Sequence, residues 1–245
     1  MDCNGRCQFS DRLAPLGQPA MRSALSFLSG KLTRRTLLVV VLPAIFVSYF
    51  GALALAMRLS PGSFEWRKET VSKLLEPQRN PKSYWIASAG IVLAGCLLIP
   101  FAGYIGRRLR TAAPIGSRIG AVIFGGGAAG SALSGLIAYH GNSRFPRFHT
   151  LLSRGSAFAL GAGVIVFWAC ALIGRFRSPA GTPRCRARLV TGWTLLFASA
   201  LAAATWDALA AGHRVREQAG LWEWAASAVL CLFLLLSALL LPGET

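Results

Sequence analysis

Residues 37–57 read LLVVVLPAIFVSYFGALALAM, running from Leu37 to Met57 without a charged side chain. At 1.5 Å per residue, a helix of that length covers about 30 Å, the thickness of a bilayer's hydrocarbon core. Five more apolar runs follow, at Tyr84–Gly106, Ile119–Tyr139, Gly155–Gly174, Leu189–Trp206 and Leu221–Leu241. None shows the alternation of barrel strands, and only helices or closed barrels satisfy every backbone group in lipid. The expected fold is all-α: a polytopic membrane protein, a bundle of six transmembrane helices. Residues 1–36 read as a disordered basic cytoplasmic tail, 37–241 as the membrane domain and 242–245 as a cytoplasmic end.

Composition agrees. Hydrophobic residues make up 54% of the 245 and charged residues 14%, whereas a soluble domain carries roughly 25% charged. The net charge of +17 would suit nucleic acid in a soluble chain. Here the basic residues fall in short clusters between apolar runs, so nucleic acid is excluded as a partner and the charge reads as topology. With the amino terminus inside, the inner segments hold 15 basic residues against three acids, and the outer segments 11 against six. The positive-inside rule then places both termini in the cytoplasm of a cell whose inner (plasma) membrane the chain crosses. Trp66, Trp85, Trp206, Trp222 and Trp224 gather at the expected outer boundary, where aromatic rings favour the headgroup level.

Thr33-Arg34-Arg35-Thr36-Leu37-Leu38 has the look of a twin-arginine export signal. Export signals carry an apolar region of only about 7–15 residues, so the longer run here is read as a retained first helix. The cysteines add little. Cys96, Cys170 and Cys231 lie in apolar runs, and Cys3 and Cys7 have no histidine or second cysteine pair nearby.

Four features concern function. The third run carries Gly116, Gly120, Gly126 and Gly130, pairs four apart that let helix backbones approach closely. They suit either packing within the bundle or the seam of a homodimer. His140, His149 and His213 fall on the expected outer side, with Asp207, Glu217 and Glu223. Such groups serve acid–base chemistry or metal binding where they converge. No pair has ligand spacing, so neither metal nor cofactor is expected, and headgroup contacts are the simpler reading. His149 and Glu223 are expected to face each other, because each opens a span at the same depth. The centres of the spans lack charge, which argues against an ion pathway. Finally, Phe64–Glu76 fits a short helix with Phe64, Val71, Leu74 and Leu75 on one side, lying on the outer leaflet.

Three short elements, Val71-Ser72-Lys73-Leu74, Phe148-His149-Thr150-Leu151 and Trp222-Glu223-Trp224, resemble those of an uncharacterised family of six-helix bacterial integral membrane proteins related to the DRAM/FRAG/Sfk group. The resemblance implies a serine-bearing first outer loop, a histidine opening the fourth helix and an acid opening the sixth. The acid and glycine expected after the loop serine are missing here. That family has no established catalytic activity. The resulting expectation is a non-catalytic membrane protein whose outer polar site (Ser72, His140, His149, Asp207, His213, Glu217 and Glu223) contacts membrane lipid or a membrane partner. The first alternative is a membrane-embedded hydrolase or lipid-modifying enzyme using His149, Asp207, His213 and Glu223. The second is a small-solute transporter, for which an internal repeat would be a sign.

Overall fold

The computed structural model describes residues 26–62, 64–137, 145–177, 188–200 and 219–241. Every regular element among them is helical: α1 (Arg34–Leu59), α2 (Tyr84–Leu109), α3 (Pro114–Leu136), α4 (Phe145–Arg177), α5 (188–200) and α6 (Ala219–Leu240). Five of the six are long and apolar enough to cross a membrane. The exception is α5, whose described 13 residues cover only about 20 Å. Large apolar side chains such as Val47, Val122, Leu151 and Phe158 stand exposed, as a lipid-facing surface requires and an aqueous one does not tolerate.

The helix starts follow local chemistry. Thr33 caps α1, its hydroxyl accepting from the Thr36 N–H at 3.1 Å, and Pro114 opens α3, where a missing N–H costs nothing. Pro43 lies inside α1, where it lacks the donor owed to the carbonyl four residues back. Around it the ladder widens into two π-helical segments, Leu37–Val41 and Val47–Gly51. The Leu42 N–H accordingly reaches back to the Leu37 carbonyl. The wider turn keeps Leu37, Val41, Ile45 and Ser48 on one buried stripe.

The bundle has two distinct ends. At the terminal end, residues 26–31 form a reversing turn. The Lys31 N–H bonds the Ser26 carbonyl at 3.0 Å and the Gly30 N–H bonds that of Phe27 at 2.9 Å, with Gly30 at φ +74°, the left-handed closure that glycine permits. A Cβ at Gly30 would collide with the α2 backbone at Gly103 and Tyr104. This part of the expected tail is therefore packed on the bundle. Arg34 donates to the carbonyls of Ala238, at 3.1 Å, and Leu239. One arm of the twin-arginine pair thus satisfies the carboxyl end of α6, where a cation also meets the negative pole of the helix.

The core joins α3, α4, α5 and α6 through aromatic rings. Phe233 lies 4.8 Å from Trp193, 6.4 Å from Phe197 and 6.5 Å from Phe124, and Phe124 lies 6.1 Å from Phe167. Trp193, Phe124, Phe167 and Phe233 are fully buried. Between α3 and α4 the glycines set the spacing. A Cβ at Gly116, Gly120 or Gly130 would lie 2.5–3.0 Å from Cys170, Phe167 or Ser156. Gly127, outside the pairs read from the sequence, is closer to backbone still, 2.7 Å from the Leu160 nitrogen. Gly126 has nothing within 4 Å and is no part of that contact, because it sits one residue round the helix from Gly127.

Candidate functional site

The other end, here the loop end, is built from the α1–α2 connection. Val71–Leu75 forms one 3-10 turn, shorter than the helix expected over Phe64–Glu76. Val71, Leu74 and Leu75 are buried with Leu53, Ala56, Ala87 and Ile91, and Trp224 packs against them. The apolar side of the loop therefore faces the ends of α1, α2 and α6, where the expectation was the lipid surface. Five residues of 3-10 turn are too short to lie alone on a membrane, and the helix ends offer a closer apolar partner.

Polar groups fasten this cap. Asn80, almost fully buried, donates from Nδ2 to the Leu74 carbonyl at 3.1 Å and accepts from the Ser83 hydroxyl at 2.5 Å. Asn80-Pro81 is a turn signal in the sequence. The Val71 N–H donates to Glu223 Oε2 at 2.5 Å. The Leu221 N–H donates to the Arg67 carbonyl at 3.0 Å. The loop and the start of α6 thus exchange one hydrogen bond each way. Gly220 lets them meet, since a Cβ there would collide with the Glu69 carbonyl and lie 2.5 Å from that of Trp66.

The carboxylate of Glu223 takes its bond from the loop, not from His149. His149 is almost fully buried on α4 and faces the Ser134 backbone of α3. The bond to Glu223 and the backbone that His149 faces thus belong to different elements, the loop and α3. In the same way α6 packs beside α1 and the loop, while α4 packs beside α3. Ser72 bonds the Thr70 hydroxyl at 2.8 Å and sits next to the residue that holds Glu223. His140, Asp207, His213 and Glu217 lie outside the described residues. Two further residues extend the Glu223 cluster into the span: the Tyr49 hydroxyl lies 2.9 Å from Ser227 Oγ, which donates to the Glu223 carbonyl at 2.8 Å. A tyrosine and a serine in apolar runs give no pattern by which sequence could have paired them.

The cap's solvent face is charged. Glu65 pairs with Lys68 at 2.7 Å, Glu69 with Lys73 at 3.2 Å and Glu76 with Arg79 at 2.9 Å. The carboxylates are consumed, and Arg58 and Lys82 make no ion pair among the described residues. Arg67 lies over the Trp66 ring at 5.2 Å, and the Trp85 indole donates to the Lys82 carbonyl at 3.1 Å. Both indoles are about half exposed. Lys68 holds the Glu65 carboxyl below the usual carboxylate range, while burial raises that of Glu76 against the pull of Arg79.

No curated protein and no solved structure matches the chain. A family match does cover residues 40–240, from early in α1 to the end of α6. The chain therefore belongs to the family described as Protein of unknown function (DUF998).

Proposed function

We propose that this protein is a six-span plasma-membrane protein with both termini in the cytoplasm, and that its loop end is a non-catalytic cap contacting outer-leaflet headgroups. The kinship with the DRAM/FRAG/Sfk group belongs to this proposal and rests on the three short elements. Chain direction supports six spans. The carboxyl half of α4 packs beside the start of α3 at Gly116–Cys170, at the terminal end, whereas α6 starts against the loop. Between them the chain has one more crossing to make, and α5 contributes Leu189, Val190 and Trp193 to the shared core.

The observation that carries the headgroup reading is the pairing of exposed Trp66 and Trp85 with Arg67 and Lys82, on a loop whose carboxylates are already engaged. Indoles and cations at one depth form the usual interfacial anchor. Glu223 serves the fastening of that cap. The test is tryptophan quenching in vesicles containing a headgroup-spin-labelled phospholipid. The shallow component should fall clearly in the Trp66→Phe/Trp85→Phe variant, and undiminished quenching would refute the contact.

A further inference from the structure

A groove of about 250 Å³ opens between α3 and α4 in the half of the bundle nearer the loop end. It is lined by Gly126, Gly130, Gly155 and Ser156 together with Phe148 and Leu151. Nothing lies within 4 Å of a Cβ at Gly126 or Gly155, so the space is left unfilled by the protein itself. Phe148, Leu151 and Phe158 are largely exposed, which turns the opening toward lipid. At roughly 30 Å³ for a small molecular group, the volume suits a stretch of several methylenes.

Beside the groove stands Arg154, exposed and one residue before Gly155. On the helix surface it lies between Leu151 and Phe158, three and four residues away, on the lipid-facing side. It makes no hydrogen bond or ion pair among the described residues. An uncompensated guanidinium at this depth is costly. Side chains lean toward the amino end of their helix, and the amino end of α4 is the loop end. The Arg154 arm is thereby directed from about 9 Å inside the segment that begins at Phe148 toward the headgroup level. The acids described at this end are engaged, Glu65, Glu69 and Glu76 in ion pairs and Glu223 with Val71. The anion at hand is a lipid phosphate, which the guanidinium fork fits.

We infer that the α3–α4 groove seats one acyl chain of an anionic phospholipid while Arg154 holds its phosphate. A second copy of the chain is the competing occupant. A two-fold contact through this groove would turn the two Arg154 side chains toward each other in a medium of low dielectric, which disfavours it.

The test uses the full chain in detergent, titrated with dioleoylphosphatidylglycerol and read by native mass spectrometry. One lipid should remain bound to the parent, with dioleoylglycerol and inorganic phosphate each binding far more weakly. Arg154→Gln and Gly155→Leu should each weaken binding roughly fivefold or more, the loss of one charge-assisted contact or of the seat. Arg154→Lys should retain most of it, and Arg58→Gln, on the cap, should leave it unchanged. Because Gly155 has no neighbour to clash with, its variant should melt with the parent. Lipid binding by Arg154→Gln and Gly155→Leu as tight as the parent's overturns the inference. So does a Gly155→Leu chain that turns from dimer to monomer with lipid binding intact. Either failure leaves the headgroup reading of the cap standing, since that concerns other residues.

Discussion

Glu223 is an acid near the start of a membrane-spanning helix, and its surroundings explain how it is tolerated. The positive pole of α6 favours a carboxylate there, and the Val71 N–H gives it a charge-assisted hydrogen bond at 2.5 Å. Glu223→Ala should cost about 1–3 kcal/mol, the usual penalty for leaving a buried donor unsatisfied. Glu223→Gln keeps an acceptor oxygen and should cost clearly less. Thermal unfolding in detergent separates the two, and equal losses would show that the charge, not the hydrogen bond, matters. Two loop carboxylates respond to pH in opposite senses. Glu65 is held low by Lys68, so its small contribution is present above the unfolded pKa and fades as pH falls through the folded one. Glu76 is raised by burial, so the fold prefers it protonated, and that preference costs stability as pH rises through the carboxylate range. The melting temperature of Glu76→Gln relative to the parent should therefore increase as pH is raised from about 4 to about 6.

Among elements, α3 and α4 show how one residue's rotation decides a glycine's role. Gly130 lies where a Cβ would come 2.5 Å from Ser156 Oγ, and Gly126 opens on empty space. Gly130→Leu should lower the melting temperature by forcing the helices apart, while Gly126→Leu should be close to neutral. A marked loss in Gly126→Leu would place another helix against that face. At the loop end, Gly220→Ala should lift the α1–α2 loop from α6, because its methyl group meets the Glu69 and Trp66 carbonyls. Limited proteolysis would detect this as faster cleavage within residues 60–83.

For the whole molecule, the bonds from Arg34 to Ala238 and Leu239 bring the start of α1 and the end of α6 to one face, and the loop cap occupies the other. In the proposed orientation, cysteines placed at Gly62 and Asn142 should react with an impermeant thiol reagent on intact cells, and one at Gly181 should not. Gly62 has open space around it, so the substitution there is structurally mild. Labelling at Gly181 with Gly62 protected would invert the topology.

The apolar runs alone determined that the chain is helical and built for a membrane, because length without charge answers to hydrocarbon thickness, a constraint that acts residue by residue. They also located α1, α2 and α6 to within three residues at either end. The start of α4 was hidden, since the apolar run begins only at Gly155 while the helix extends back to Phe145. Hydropathy marks where hydrocarbon begins, and helices are free to extend beyond it. Which helix lies beside which was decided only in three dimensions. His149 and Glu223 share a depth by sequence, but depth is one coordinate. The lateral order of the helices, set by glycine contacts between α3 and α4 and by the loop's grip on α6, assigned them different neighbours. The role of Gly220 was likewise invisible, because it depends on backbone more than 150 residues earlier in the chain, at Glu69 and Trp66, arriving within contact distance.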